Sequence, residues 1–156
     1  MNRFLLFITI IGVLVLSACD PSNIYEKHLQ TNNLQWHTDD IKSFTVNIDD
    51  TALYYDLHTA VRYIDNCPYP EITVKMTVNY NNNSVIEKEG VVNIKDKDGE
   101  YIGDVSGNMW DCDNIIIDNY KFNHTGEYIV TIQAVNPEKV YSLIQDVGLI
   151  VKKVEK

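Results

Sequence analysis

Positive charge is scarce in this chain of 156 residues. Thirteen lysines and arginines stand against 22 aspartates and glutamates, a formal net charge of −9. No basic run occurs, so the surface offers no electrostatic footprint for nucleic acid and is repelled by anionic lipid head groups. Catalytic signatures are missing as well: there is no Gly-x-Ser-x-Gly elbow and no His-Glu-x-x-His helix. The four histidines, His28, His37, His58 and His124, lie too far apart to form a metal-spaced pair. No internal repeat, coiled-coil heptad or low-complexity tract is present. These absences point away from an enzyme and imply no cofactor.

Acidic residues do gather, at Asp96, Asp98, Glu100, Asp104, Asp111 and Asp113. Asp96-Lys97-Asp98-Gly99 resembles the middle of a calcium-binding loop. Placing Gly99 at the required glycine puts Ile94 at the first ligand position and Val105 at the last, and neither side chain can ligate. The group therefore reads as solvated turn carboxylates.

Cysteine is nearly absent, at three residues, and the first of them is the most informative position in the chain. Met1-Asn2-Arg3 precedes an apolar run from Phe4 to Leu16, interrupted only by Thr9 and Gly12. That length suits a secretory signal and falls short of the roughly 20 residues that a bilayer span requires. The run ends in Leu16-Ser17-Ala18-Cys19, the pattern of a bacterial lipobox. The expectation is a lipoprotein signal peptide over residues 1–18, with Cys19 acylated and first in the mature chain. One fatty chain holds a membrane only marginally, whereas two or three acyl chains, palmitate among them, anchor stably. The membrane partner is thus engaged through Cys19 and not through the protein surface.

Such a leader delivers the chain to an oxidising compartment, where Cys67 and Cys112 become a candidate disulfide. Both fall in segments that read as loops. A bridge closing that span would restrict the unfolded chain by roughly 4 kcal/mol in the entropy model; two unpaired thiols is the alternative.

Residues 19–38 are polar and without periodicity, and read as the lipidated cysteine and a tether, with Leu34 and Trp36 docking onto the body. Residues 39–156 read as one domain, in which the apolar period is two almost throughout. Phe44, Val46 and Ile48 alternate with polar residues. Tyr55, Leu57, Thr59, Val61 and Tyr63 form one face of a long strand, opposite Asp56, His58 and Arg62. Ile72 to Tyr80 and Ile86 to Ile94 read as a hairpin around an asparagine-rich turn. Residues 104–114 read as irregular, 138–144 as a single helical turn, and Val147 to Val151 as the last strand. Seven to nine short strands with almost no helix predict an all-β fold, an antiparallel β-sandwich of immunoglobulin-like or jelly-roll-like type, with an up-and-down barrel as the alternative. Tyr128, after Gly126-Glu127, suits either a tyrosine corner or a plain core position.

Ten tyrosines raise a second functional reading, a glycan-binding envelope lipoprotein, with Tyr54, Tyr69, Tyr101 and Trp110 as the freer aromatic faces. Asp50-Thr51-Ala52 matches a short O-glycosylation pattern centred on Thr51. Asn82-Asn83-Ser84 and Asn123-His124-Thr125 read as turns.

Three colinear blocks, together with the lipobox, resemble the gliding-motility lipoprotein GldH family. The first runs from Phe44 through the long strand to Asn66-Cys67-Pro68-Tyr69-Pro70. The second is Asp96 to Gly103, with Gly107 beyond it. The third runs from Phe122 through Gly126-Glu127-Tyr128 and Gln133-Ala134 to Asp146-Val147-Gly148-Leu149. Leu143 stands where the family more usually has glycine. The resemblance implies a lipid-anchored protein of the cell envelope, associated through protein partners with the gliding and type IX secretion apparatus, and it carries over no catalytic residue.

Overall fold

The computed structural model describes residues 22–154; the expected signal peptide and Cys19 lie outside them. The described residues contain eleven strands and no helix: β1 (Asn23–Gln30), β2 (Gln35–His37), β3 (Lys42–Ile48), β4 (Tyr55–Ile64), β5 (Glu71–Tyr80), β6 (Asn83–Asn93), β7 (Asp104–Ser106), β8 (Met109–Tyr120), β9 (Gly126–Ala134), β10 (Val140–Ser142) and β11 (Ile144–Lys153). They form a five-stranded sheet in the order β1-β11-β4-β8-β7, a four-stranded sheet β3-β9-β5-β6, and a two-stranded ribbon β10-β2. All pairings are antiparallel. The all-β antiparallel fold expected from the alternation is the one observed.

The alternation works because one face of each strand is removed from water. Phe44, Val46 and Ile48 of β3 are buried while the residues between them are exposed. Ile72, Val74, Met76 and Val78 of β5 face them across β9, whose Tyr128, Val130, Ile132 and Ala134 lie in the same layer. From the large sheet, Leu57, Val61, Tyr63, Val147, Leu149 and Val151 close the core. Each such side chain contributes about 1.5–3 kcal/mol by burial. The β5–β6 hairpin turns on Asn81 (φ 49) and Asn82 (φ 63). Two consecutive positive φ angles make the turn whose twist matches that of its strands, and asparagine adopts them cheaply. Tyr128 satisfies both of its readings. It is buried, and its hydroxyl donates to His124 O at 3.0 Å and accepts from His124 N at 3.2 Å.

Three segments differ from expectation. Residues 23–30 were expected to be tether, yet they form β1, paired along its length with β11. As an edge strand β1 is only half-buried, so no clean apolar face marks it in sequence. The segment 104–114 is not irregular: it holds β7, a tight turn at Gly107-Asn108, and the start of β8, at 12 residues the longest strand. Asp111, Asp113 and Asn114 make up half of its first six residues, so little apolar alternation marks it. Residues 140–142 form a strand and not a helical turn, because Tyr141 pairs opposite Trp36 in the small ribbon. Trp36 itself is fully buried and donates its indole N–H to Asp40 O at 2.9 Å.

Leu143, the residue that replaces a usual glycine, sits at φ 62 between β10 and β11. Left-handed backbone costs a residue with a Cβ about 1–2 kcal/mol, and glycine's greater freedom in the unfolded chain returns part of that. Leu143→Gly is therefore expected to raise stability by about 0.5 kcal/mol, read as a higher urea midpoint at unchanged slope.

Candidate functional site

The outward side of the large sheet gathers most of the fold's interacting charges, and strand register places them in rows. Gln30, Asp146, Arg62, Asp111 and Asp104 stand opposite one another across β1, β11, β4, β8 and β7. The next outward row is His28, Gly148, Ala60 and Asp113, and the third is Glu26, Ile150, His58 and Ile115. Gly148 and Ala60 are the smallest members and occupy the middle. The result is a shallow groove of about 270 Å³ walled by Glu26, His28, Arg62, Asp104, Asp111 and Asp113. Gly148 is required here for space. A Cβ on it would come within 2.7 Å of His28 Nδ1, so the imidazole lies directly over the bare backbone.

The charged groups answer one another. Arg62 makes a two-pronged bond to Asp111, Nε to Oδ1 at 2.8 Å and Nη2 to Oδ2 at 3.1 Å, and reaches Asp146 Oδ2 at 3.4 Å. The buried Asp146 carboxylate also meets His28 Nδ1 at 3.0 Å, and His28 Nε2 lies 3.3 Å from Glu26. His58 Nδ1 lies 2.6 Å from Asp113 Oδ2. Asp146 is the least exposed carboxylate of the set, and two cationic partners offset its desolvation.

These pairs set a pH dependence. The hydrogen bond to Asp146, opposed by burial and helped by the Asp146 and Glu26 charges, raises the His28 pKa above its ordinary value. A raised imidazole stabilises the fold fully below about pH 6.5, and that contribution is lost as pH climbs through the folded value. The hydrogen bond from His58 holds Asp113 below the usual carboxylate range. Its contribution is present above about pH 4 and fades as pH falls through the depressed value. Stability should therefore peak between roughly pH 4 and 6.5. His28→Gln should flatten the decline between pH 6 and 9 by about 0.5 kcal/mol after solvent screening, measured as urea midpoints across that range.

Arg62 is thus shared between two carboxylates, and His28 and His58 each meet a carboxylate through Nδ1. Among the described residues no three His, Cys, Asp or Glu side chains are grouped as a metal ion would need. The acidic residues first read as one turn cluster separate into two sets. Asp96 organises its own turn by accepting from Asp98 N and Glu100 N at 2.9 and 3.0 Å, whereas Asp111 and Asp113 belong to the charged rows. His124 stacks on Tyr80 with ring centroids 5.1 Å apart, and His37 is exposed on β2.

Cys67 and Cys112 are both free thiols and both buried. Burial, reinforced by the charges of Asp113 and Asp111, pushes the Cys112 thiol up to about 12. Neither is a reactive group at neutral pH. Three of the four aromatics considered for sugar stacking, Tyr69, Tyr101 and Trp110, are engaged within the fold. Tyr101 and Trp110 pack against the buried Tyr63 at centroid distances of 5.6 and 6.5 Å, and Trp110 donates to Asp65 Oδ1 at 2.7 Å. Tyr69 packs edge-on against Tyr141 and meets Ser142 Oγ at 3.2 Å. Thr51 lies in the loop between β3 and β4, where Asp50 accepts from Ala52 N at 2.7 Å. Sequence reading placed Arg62 and His58 on an outward face but missed their partners, because pairing register is not written in any single strand.

A family model described as GldH lipoprotein matches residues 23–151, from the first residue of β1 into β11. The gliding motility lipoprotein GldH homolog of Christiangramia forsetii is 25% identical over 132 residues, covering 85% of this chain and 80% of that protein. Among solved structures, the infectious bursal disease virus VP2 subviral particle is similar at a TM-score of 0.36 and 10% identity, covering 84% of this chain and 32% of that one.

Proposed function

The chain belongs to the GldH lipoprotein family, and from that premise we propose that it is a non-catalytic structural component of the gliding-motility and type IX secretion apparatus, moored through acyl chains on Cys19. The observation that carries the reading is the extent of the match, which spans the sandwich from its first strand to its last. Function then lies in contact. The sandwich docks to envelope proteins through loops or an edge strand, and mooring raises its local concentration beside membrane-held partners.

Cys19→Ser tests this. The substituted chain should move from the membrane to the soluble fraction and lose its co-purifying envelope proteins. Retention in the membrane with the same partners would sink the mooring. Loss of the membrane with partners retained would leave the docking role and remove the anchor from it.

A further inference from the structure

We infer that the sandwich end carrying the loops 49–54 and 121–125 rests against the head groups of the leaflet that holds the anchor, with the opposite end standing off by the length of the strands. The inference rests on Cys19 being the acylated residue. Lys153 N donates to Ser22 O at 2.8 Å, so the chain is already tied into the large sheet at Ser22. Ser22 is three residue steps on from Cys19, and three steps reach about 10 Å at full extension. The interfacial layer of a bilayer is itself roughly 5–8 Å thick on each side. The folded body is left only a few ångströms of clearance.

Strand direction decides which end is held there. Asn23 at the start of β1 stands opposite Lys152 near the end of β11, and Tyr55 at the start of β4 stands opposite Lys153 and Tyr120. The 49–54 and 121–125 loops cross between the sheets at this same end. The surface there suits a head-group layer. Tyr54 lies beneath the Lys121 ammonium, 5.7 Å from its ring centroid, and its carbonyl accepts from Val154 N. A cleft of about 240 Å³ beside them is lined by Tyr80, Tyr120, Tyr128, His124 and asparagine side chains. Tyrosines with an apolar body and a polar tip favour the boundary between lipid and water. Lys121, Lys152 and Lys153 are outnumbered at this end by Asp49, Asp50, Asp56 and Asp118, so charge alone would not hold the surface to a membrane. The short chain imposes the contact. At about 3.3 Å per residue, the ten residues of β4 place the Lys97 turn on the order of 30 Å further out.

The test uses the full acylated lipoprotein in phosphatidylcholine vesicles that carry a nitroxide at the head group. Single cysteines for a fluorophore are introduced as Ala52→Cys, Thr125→Cys or Lys97→Cys, all exposed positions. The buried Cys67 and Cys112 stay unlabelled. Quenching should be at least five-fold stronger at 52 and 125 than at 97, and ten Gly/Ser residues inserted between Pro21 and Ser22 should erase most of the difference. Equal quenching at all three positions, or stronger quenching at 97, overturns the orientation. Sedimentation with vesicles reads the anchor separately. A Cys19→Ser chain that still sediments overturns the anchoring, whereas an acylated chain that sediments and quenches equally everywhere overturns this inference alone.

Discussion

Gly103→Ala should destabilise the protein by about 3–4 kcal/mol. Gly103 holds φ +120 immediately before β7, and a Cβ there would lie 2.0 Å from Asp111 O and 2.8 Å from Asp111 C. Both obstructing atoms are backbone of the long strand β8, so no side-chain rotation can make room. The chain from Ile102 to Asp104 must leave the sheet, taking with it the three residue pairs that join β7 to β8. Two other glycines calibrate the effect. Gly99 and Gly107 also have positive φ, 85° and 65°, but nothing lies within 4 Å of a Cβ at either. Their alanine variants should show only the backbone term of about 1 kcal/mol. Urea midpoints for the three variants separate collision from conformational preference. Three equal shifts would mean that the close approach at Gly103 is immaterial.

Tyr63→Ala should cost about 3–5 kcal/mol, the range for removing a large aromatic from a packed interior. Tyr63 is fully buried in β4, stacked on Trp110 with planes 11° apart and tilted against Tyr101. Its hydroxyl donates to Ile102 O at 2.6 Å and lies 3.1 Å from Ile94 O. It therefore ties both ends of the loop that runs from the four-stranded sheet to β7. Tyr63→Phe keeps the ring and deletes the tie, leaving the Ile102 carbonyl short of a partner, and should cost about 1–2 kcal/mol. The two variants divide packing from hydrogen bonding. Amide exchange should show the 95–103 loop opening in Tyr63→Phe while the β5–β9 ladder stays closed. If the loop exchanges no faster, the hydroxyl is not what holds it.

Where one strand face meets the core and the other meets water, the sequence reads plainly. Phe44 to Ile48 and Ile72 to Val78 are the clear cases, and they lie on neighbouring sides of β9. Legibility fails where that contrast fails. β1 borders the sheet and is half-buried on both faces, so its composition resembles a linker's. β8 carries Asp111 and Asp113 among apolar residues, and slips register against β4, so its period of two is interrupted. β10 has only three residues. The charged rows are less legible still. Glu26, His28, Arg62, Asp111 and Asp146 come from four strands spread over most of the chain, and only the register brings them together. Family resemblance supplied what composition lacked. Even there, the glycine expected at Leu143 makes physical sense only once its φ of 62 is known.

The placement of β1 has a mechanical consequence. A pull on the chain ahead of β1, with the body gripped at its far end, runs along the axis of β1. The seven residue pairs joining it to β11 then carry the load side by side and do not peel apart one after another. Shear of that kind resists rupture far better than unzipping, since every rung must yield together.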